Sequence, residues 1–175
     1  MLKGVYAPSD DSFLLAKHME KRKGSFLEIG TGTGFVALSN AIHNRDSKIM
    51  GVDINRSAVR NAISNAKRNG ITNAEFFLSD MFSNVKGKFD TVCFNPPYLG
   101  HDNLSTTQDL NFIDNGQIED FIKDVSIHLT EKGKAYLILS SNNEKTEEYM
   151  DRIGKYKILE KERYFFEELF LVEFR

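Results

Sequence analysis

The chain predicts an α/β fold, a mostly parallel sheet covered by helices on both faces. Two observations predict it. Short apolar strands alternate with segments of helical periodicity along most of the sequence, and a glycine-rich turn, Gly30 to Gly34, joins the first strand directly to the first of those helices. A third observation sets one exception. The last two strands follow each other with only Tyr164-Phe165-Phe166-Glu167 between them, which reads as a hairpin and places one antiparallel strand in an otherwise parallel sheet.

The elements follow in order. Ser25 to Ile29 is a short strand, Phe35 to His43 is apolar-rich with helical spacing, and Lys48 to Asp53 is a second strand. Asn55 caps the next helix, whose apolar positions Ala58, Val59, Ala62, Ile63 and Ala66 recur at three- and four-residue steps; Gly70 stops it after Asn69. Ala74 to Ser79 is the third strand and Phe89 to Asn95 the fourth. After a loop, a helix is expected over Gln117 to Leu129, a strand over Lys134 to Leu139, and a helix over Glu144 to Ile153. Lys157 to Arg163 and Leu169 to Phe174 close the chain, making seven strands in all. Strand order cannot be read from these segments.

The 175 residues are one domain's worth, and a composition 41% hydrophobic and 27% charged is that of an ordinary globular domain. A net charge of -2 and a pI near 6.1 weigh against holding long nucleic acid by charge alone, although a local basic patch could serve. Lys21-Arg22-Lys23 reads as a solvated helix end. The single cysteine, Cys93, precludes an internal disulfide and reads as a small buried hydrophobe within Thr91 to Phe94. His18, His43, His101 and His128 are scattered without ligand spacing, so no metal is expected. The opening MLKGVYAPSDDSF reads as neither signal peptide nor membrane span, and no apolar run is long enough to cross a bilayer. A cytoplasmic protein without membrane contact is expected.

Leu27-Glu28-Ile29-Gly30-Thr31-Gly32-Thr33-Gly34 ends a strand and opens a helix, where glycines permit a tight turn and close approach of a ligand. A dinucleotide fingerprint would need a third glycine where Phe35 stands, which argues against a nicotinamide oxidoreductase. Asp53, ending the second strand, is placed to accept both ribose hydroxyls of a nucleoside. Asp80, ending the third, could accept from an adenine amine, with Met81 and Phe82 beside the ring.

Phe94-Asn95-Pro96-Pro97-Tyr98 ends the fourth strand. Prolines donate no ladder hydrogen bonds and fix φ, so this is a stiff extended turn presenting the Asn95 side chain and bare carbonyls. A planar nitrogen such as an amide is a poor nucleophile. Two fixed acceptors, the Asn95 side-chain oxygen and the Pro96 carbonyl, would take both its N–H hydrogens, orient it and stabilise the charge that develops on it. Tyr98 would lay an aromatic face against the substrate or a cationic sulfonium.

On the glycine loop, Asp53 and NPPY, the sequence resembles the class I S-adenosylmethionine-dependent methyltransferases across essentially the whole chain. The resemblance implies their Rossmann-like fold and S-adenosyl-L-methionine as cofactor. It places Glu28, Gly30, Thr31, Gly32 and Gly34 against the methionine portion, Asp53 and Ile54 on the ribose side, and Asp80 with Met81 on the adenine, with Asn95 at the junction with substrate. Asn95, Pro96 and Tyr98 become catalytic, and Asn95, Pro97 and Tyr98 substrate-binding. In such families (N/D)PP(Y/F) marks amino-group methyltransferases. A catalytically silent relative is the contrary reading, opposed by the intact motifs.

Val5-Tyr6-Ala7-Pro8-Ser9-Asp10-Asp11-Ser12-Phe13-Leu14-Leu15 resembles the opening of the compact archaeal and eukaryotic branch of the HemK-type glutamine methyltransferases, with Ala7 departing from an expected Glu. That likeness implies an N-terminal helical segment over 1–24 that covers the cofactor site. It implies as substrate the glutamine of Gly-Gly-Gln in a class I peptide chain release factor. It further implies a small zinc-binding activator subunit meeting the edge strand at Phe76-Phe77-Leu78. Leu99 to Gly116 departs from the branch's glycine-rich run, keeping only Asp114-Asn115-Gly116. The alternative is an enzyme acting on adenine or guanine amino groups in RNA or DNA. The slightly acidic charge and the lack of any recognisable RNA-binding module favour protein.

Overall fold

Three apolar residues and one acid, Phe26-Leu27-Glu28-Ile29, form β1, and all four are buried, as a strand covered on both faces requires. A computed structural model describes residues 5–97 and 116–175; Tyr98 and most of the loop after it lie outside them. α1 spans Asp10–Met19, α2 Phe35–His43, β2 Ile49–Asp53, α3 Arg56–Arg68, β3 Ala74–Leu78 and β4 Phe89–Phe94. α4 covers Gln117–Asp124, β5 Leu129–Ser140, α5 Thr146–Ile153, β6 Tyr156–Arg163 and β7 Glu168–Phe174.

The seven strands form one sheet in the order β3-β2-β1-β4-β5-β7-β6. Pairings from β3 through β5 are parallel, while β7 is antiparallel to both β5 and β6, so it is the single antiparallel strand expected of the hairpin. The order matters because it reverses at β1. There Ile29 pairs with Val52 on one side and Phe94 on the other, which brings the residues that follow β1, β2 and β4 to one rim.

Side chains alternate between two cores. α1, α2 and α3 cover one face, burying Leu15, Met19, Ala37 and Ala62 against Phe26, Ile49, Cys93 and Tyr136. α4 and α5 cover the other, with Ile118, Phe121 and Tyr149 against Leu27, Val92, Leu137 and Val172. Cys93 is fully buried, as expected of a small hydrophobe, and burial pushes its thiol well up. At the edge strand β3, Phe76 is buried, Phe77 half-buried and Leu78 40% exposed.

Local signals place α3 well. The Asn55 side chain accepts from the Ser57 N–H at 2.8 Å, and Gly70 turns the chain away at φ 65. Three boundaries differ from expectation by more than one residue. The helix expected to reach Leu129 ends at Asp124 and tightens into a 3-10 turn over Val125–His128. β5 begins at Leu129 rather than Lys134, because Leu129 pairs with Phe89 before the register shifts to Thr91 with Lys134. Gly133 allows that shift, since a Cβ there would lie 2.6 Å from the Phe89 carbonyl oxygen. α5 starts at Thr146, two residues late, with the Asn143 side chain accepting from the Lys145 N–H at 3.0 Å.

No helix among the described residues is long and apolar enough to cross a membrane, and no group of three His, Cys, Asp or Glu among them could hold a metal ion.

Candidate active site

The strand ends enclose a cavity of about 500 Å³. Its walls come from the turn after β1, the ends of β2 and β4, the turn after β3, and the start of the described chain. The structure therefore brings Glu28, Gly30, Thr31, Gly32, Asp53, Ile54, Asp80, Met81, Asn95, Pro96 and Pro97 together around one space. Gly34 is set back from it; its absent side chain leaves room for α3, because a Cβ would sit 2.9 Å from the Cβ of Ala62, and its φ of 78 suits glycine. Tyr98 lies outside the described residues.

Each lining residue has a local cause. Gly30 runs close under the fourth strand, where a Cβ would meet the Phe94 ring at 3.2 Å. Gly32 has φ 55 and nothing within 4 Å of where a Cβ would stand, so its backbone faces open space. Asp53 braces this loop, one carboxylate oxygen accepting from the Gly32 N–H and the other from the Asn55 N–H, both at 2.8 Å. Burial raises its carboxyl while these two donors pull it back.

Glu28 is 3% exposed. One of its oxygens accepts from the Thr31 hydroxyl at 2.7 Å and the Ala37 N–H at 3.0 Å. Thr31 reaches it by lying over Gly51, where a Cβ would come within 2.6 Å of the Thr31 hydroxyl. Burial pushes the Glu28 carboxyl up to about 8, against the pull of its two donors, with the Asp53 charge adding a little. In the unfolded chain it ionises near 4.5, so between that pH and about 8 the folded protein keeps a proton that the unfolded chain has released. Stability of the cofactor-free protein therefore falls as pH rises through that window, by on the order of 5 kcal/mol. The expected result for Glu28→Gln is a melting temperature above wild type at pH 8.5 but not at pH 5. Parallel melting curves at the two pH values would overturn the assignment.

Met81 takes a positive φ of 43, uncommon for a side chain with a Cβ. Ser79 holds it there, donating its hydroxyl to the Met81 carbonyl at 2.9 Å while accepting from the Asn84 N–H at 3.0 Å. Ile54, 69% exposed, and the exposed Asp80 also face the cavity. At the far wall the Asn95 side-chain oxygen is buried without a hydrogen-bond partner among the described residues. An orphaned acceptor at a cavity wall costs free energy until a donor arrives.

Tyr6, Asp11 and Ser12, in the N-terminal segment expected to cover the cofactor site, also line the cavity, as does Gln117, to which the sequence did not point. Asp11 is buried, accepting from the Tyr6 hydroxyl and the Ser12 hydroxyl, both at 3.0 Å. The signal for the first three was the likeness of Val5 to Leu15 to a known family opening, since Asp10-Asp11 at a helix start reads by itself as ordinary helix-dipole acids.

A family model described as the methyltransferase small domain matches residues 3–166. A Methanocaldococcus jannaschii protein, provisionally named a protein N5-glutamine methyltransferase, is 41% identical over 150 residues, covering 78% of this chain and 73% of that one. Release factor glutamine methyltransferases of Fusobacterium nucleatum and Aliivibrio fischeri are 32% and 34% identical, covering 61% and 69% of this chain. The chain spans only 32% and 44% of those two enzymes. Among solved structures, a ribosomal protein L11 methylase from Lactobacillus delbrueckii superposes with a TM-score of 0.70 at 20% identity, covering 99% of this chain and 83% of that one. A Thermus thermophilus 16S rRNA N2 G1207 methyltransferase, in complex with AdoMet and guanosine, has a TM-score of 0.70 at 18% identity, covering 97% of this chain and 44% of its own. At such identities these two establish the fold alone.

Proposed function

The chain belongs to the methyltransferase small domain family, as an S-adenosylmethionine-dependent methyltransferase, and from that premise we propose that it methylates the side-chain amide nitrogen of glutamine in the Gly-Gly-Gln motif of a class I peptide chain release factor. The observation that carries the reading is the buried Asn95 oxygen at the cavity wall, unpartnered among the described residues. It is the acceptor that an incoming NH2 group would satisfy, and the names of the relatives point to an amide nitrogen.

Asp53 and Ile54 would hold the ribose side, Glu28 and the loop from Gly30 to Gly32 the methionine portion, and Asp80 and Met81 the adenine. The open space at Gly32 and the burial around Asp53 fit such a group. When bound, S-adenosylmethionine supplies an electrophilic methyl on a cationic sulfur. The chain's own part is positional. Asn95 and the Pro96 carbonyl accept the two amide N–H hydrogens, Pro97 and Tyr98 flank the planar group, and the stiff turn keeps both acceptors where charge develops. A methylated cationic nitrogen then loses its proton readily, so no strong base is needed. The segment from Val5 through α1 closes the cavity, with Tyr6, Pro8, Asp11 and Ser12 on its inner side. The whole chain acts as one domain, in the cytoplasm where translation termination takes place.

The decisive experiment supplies labelled S-adenosylmethionine and host extract to the purified protein, then digests with nuclease or protease. Label lost to protease and mapped to the release-factor glutamine is expected. Label lost to nuclease would overturn the reading and make this an enzyme of adenine or guanine amino groups.

An activator subunit would meet the exposed edge of β3. Phe77, half-buried beside the exposed Leu78, would be covered by it. Phe77→Lys is expected to abolish co-purification of a small partner with the protein from its host while leaving the melting temperature within a few degrees. A fully active wild-type monomer without any partner would sink this expectation.

A further inference from the structure

The most exposed apolar groups of the described chain stand side by side at the turn of the β6–β7 hairpin. Phe165 is 94% exposed and Phe166 85%, their rings in edge-on contact with centroids 5.1 Å apart. The turn that carries them is well formed. The Tyr164 N–H donates to the Glu167 carbonyl at 2.7 Å, and Tyr164 itself packs against the first core. At the hairpin's base, Ser141 donates its N–H to the Glu168 carbonyl and accepts from the Glu168 N–H with its hydroxyl, both at 2.9 Å. Two phenylalanines held in water on an ordered turn have no structural task there, since neither shields the core.

Their position relates them to the cavity. β6 runs parallel to β5 and β4, so its carboxyl end lies on the same rim as Asn95. Two to three strand spacings separate them, roughly 10–14 Å. On its other side the tip approaches the start of α1. The Tyr164 phenol is pushed up by burial, by its hydrogen bond to Glu162, and further by the charges of Asp10 and the cavity-lining Asp11. A free amino acid or base in the cavity could not reach across such a distance. A macromolecule presenting a side chain to the cavity would have to cover it.

We propose that Phe165 and Phe166 anchor the folded protein that carries the target glutamine, entering an apolar pocket on its surface while the glutamine enters the cavity. This inference rests on the protein-substrate reading above. Aromatic anchors ringed by neutral contacts are the usual source of affinity in such interfaces. The charges around the tip favour protein over nucleic acid. Lys161 and Arg163 are both tied to Glu168, at 2.7 and 2.5 Å, whereas platforms that stack bases combine aromatics with cations free to meet phosphate.

The test is the double variant Phe165→Ser/Phe166→Ser, assayed with purified release factor and with a short synthetic peptide containing its Gly-Gly-Gln. Both positions are solvent-exposed, so the melting temperature and S-adenosylmethionine affinity are expected to stay at wild-type values. KM for the intact factor is expected to rise roughly 10- to 100-fold, with the rate on the peptide unchanged. An unchanged KM for the factor overturns the docking surface and leaves the substrate reading standing. An equal loss on factor and peptide also overturns it. If the wild-type protein does not methylate the factor at all, the substrate reading fails and takes this inference with it. Transfer to RNA that the double variant loses would instead make the tip a base-stacking platform.

Discussion

Asn95→Ala is expected to lose 100- to 1,000-fold in kcat, the usual effect of removing one preorganised group that meets developing charge. Cofactor affinity should change far less, because the methionine and ribose contacts come from other strand ends. Stability should hold or rise slightly, since the change deletes a buried acceptor that has no partner among the described residues. Asn95→Asp keeps acceptor oxygens in place and is expected to retain measurable transfer. The informative measurement is single-turnover methyl transfer at saturating cofactor for all three proteins. An Asn95→Ala rate within tenfold of wild type would remove the acceptor clamp from the mechanism.

Asp53→Ala is expected to weaken S-adenosylmethionine binding by 100-fold or more. Two hydroxyl contacts to a carboxylate are worth about 1.5–3 kcal/mol each, and every 1.4 kcal/mol is tenfold. The loss has a second source. The same carboxylate holds the Gly32 and Asn55 N–H groups, so its removal also frees the glycine turn that shapes the cavity. Asp53→Asn keeps one acceptor oxygen and should fall between the two. Titration calorimetry with the cofactor distinguishes them, and an alanine variant within threefold of wild type would show that Asp53 only braces the loop.

Much of this was legible in the chain because it is local. α3 is bounded by a capping Asn55 and a terminating Gly70 that act within one turn of helix, and β1 and β4 are short, mostly apolar runs. The Gly30–Gly34 turn, Asp53 and the Asn95 turn could likewise be picked out, since each residue type at the end of a strand carries its own chemistry. Where contacts are long-range the reading fell short. The start of β5 depends on Phe89 pairing with Leu129 forty residues on, and nothing in Thr130-Glu131-Lys132-Gly133 announces it. Gly34 was expected at the cofactor, yet it answers to Ala62 of α3, a neighbour that sequence distance hides. Gln117, at the start of α4, was invisible as a cavity wall for the same reason.

By itself the sequence determined the elements, the alternation that makes a parallel sheet, and which residues bear chemistry, because propensity, capping and periodicity act over a few residues. Only the tertiary structure decided that β1 lies between β2 and β4, that three strand ends therefore share one cavity, and that the Asn95 oxygen is buried there with no partner among the described residues. Those are outcomes of packing between segments tens of residues apart, where the burial of whole sheet faces selects the arrangement.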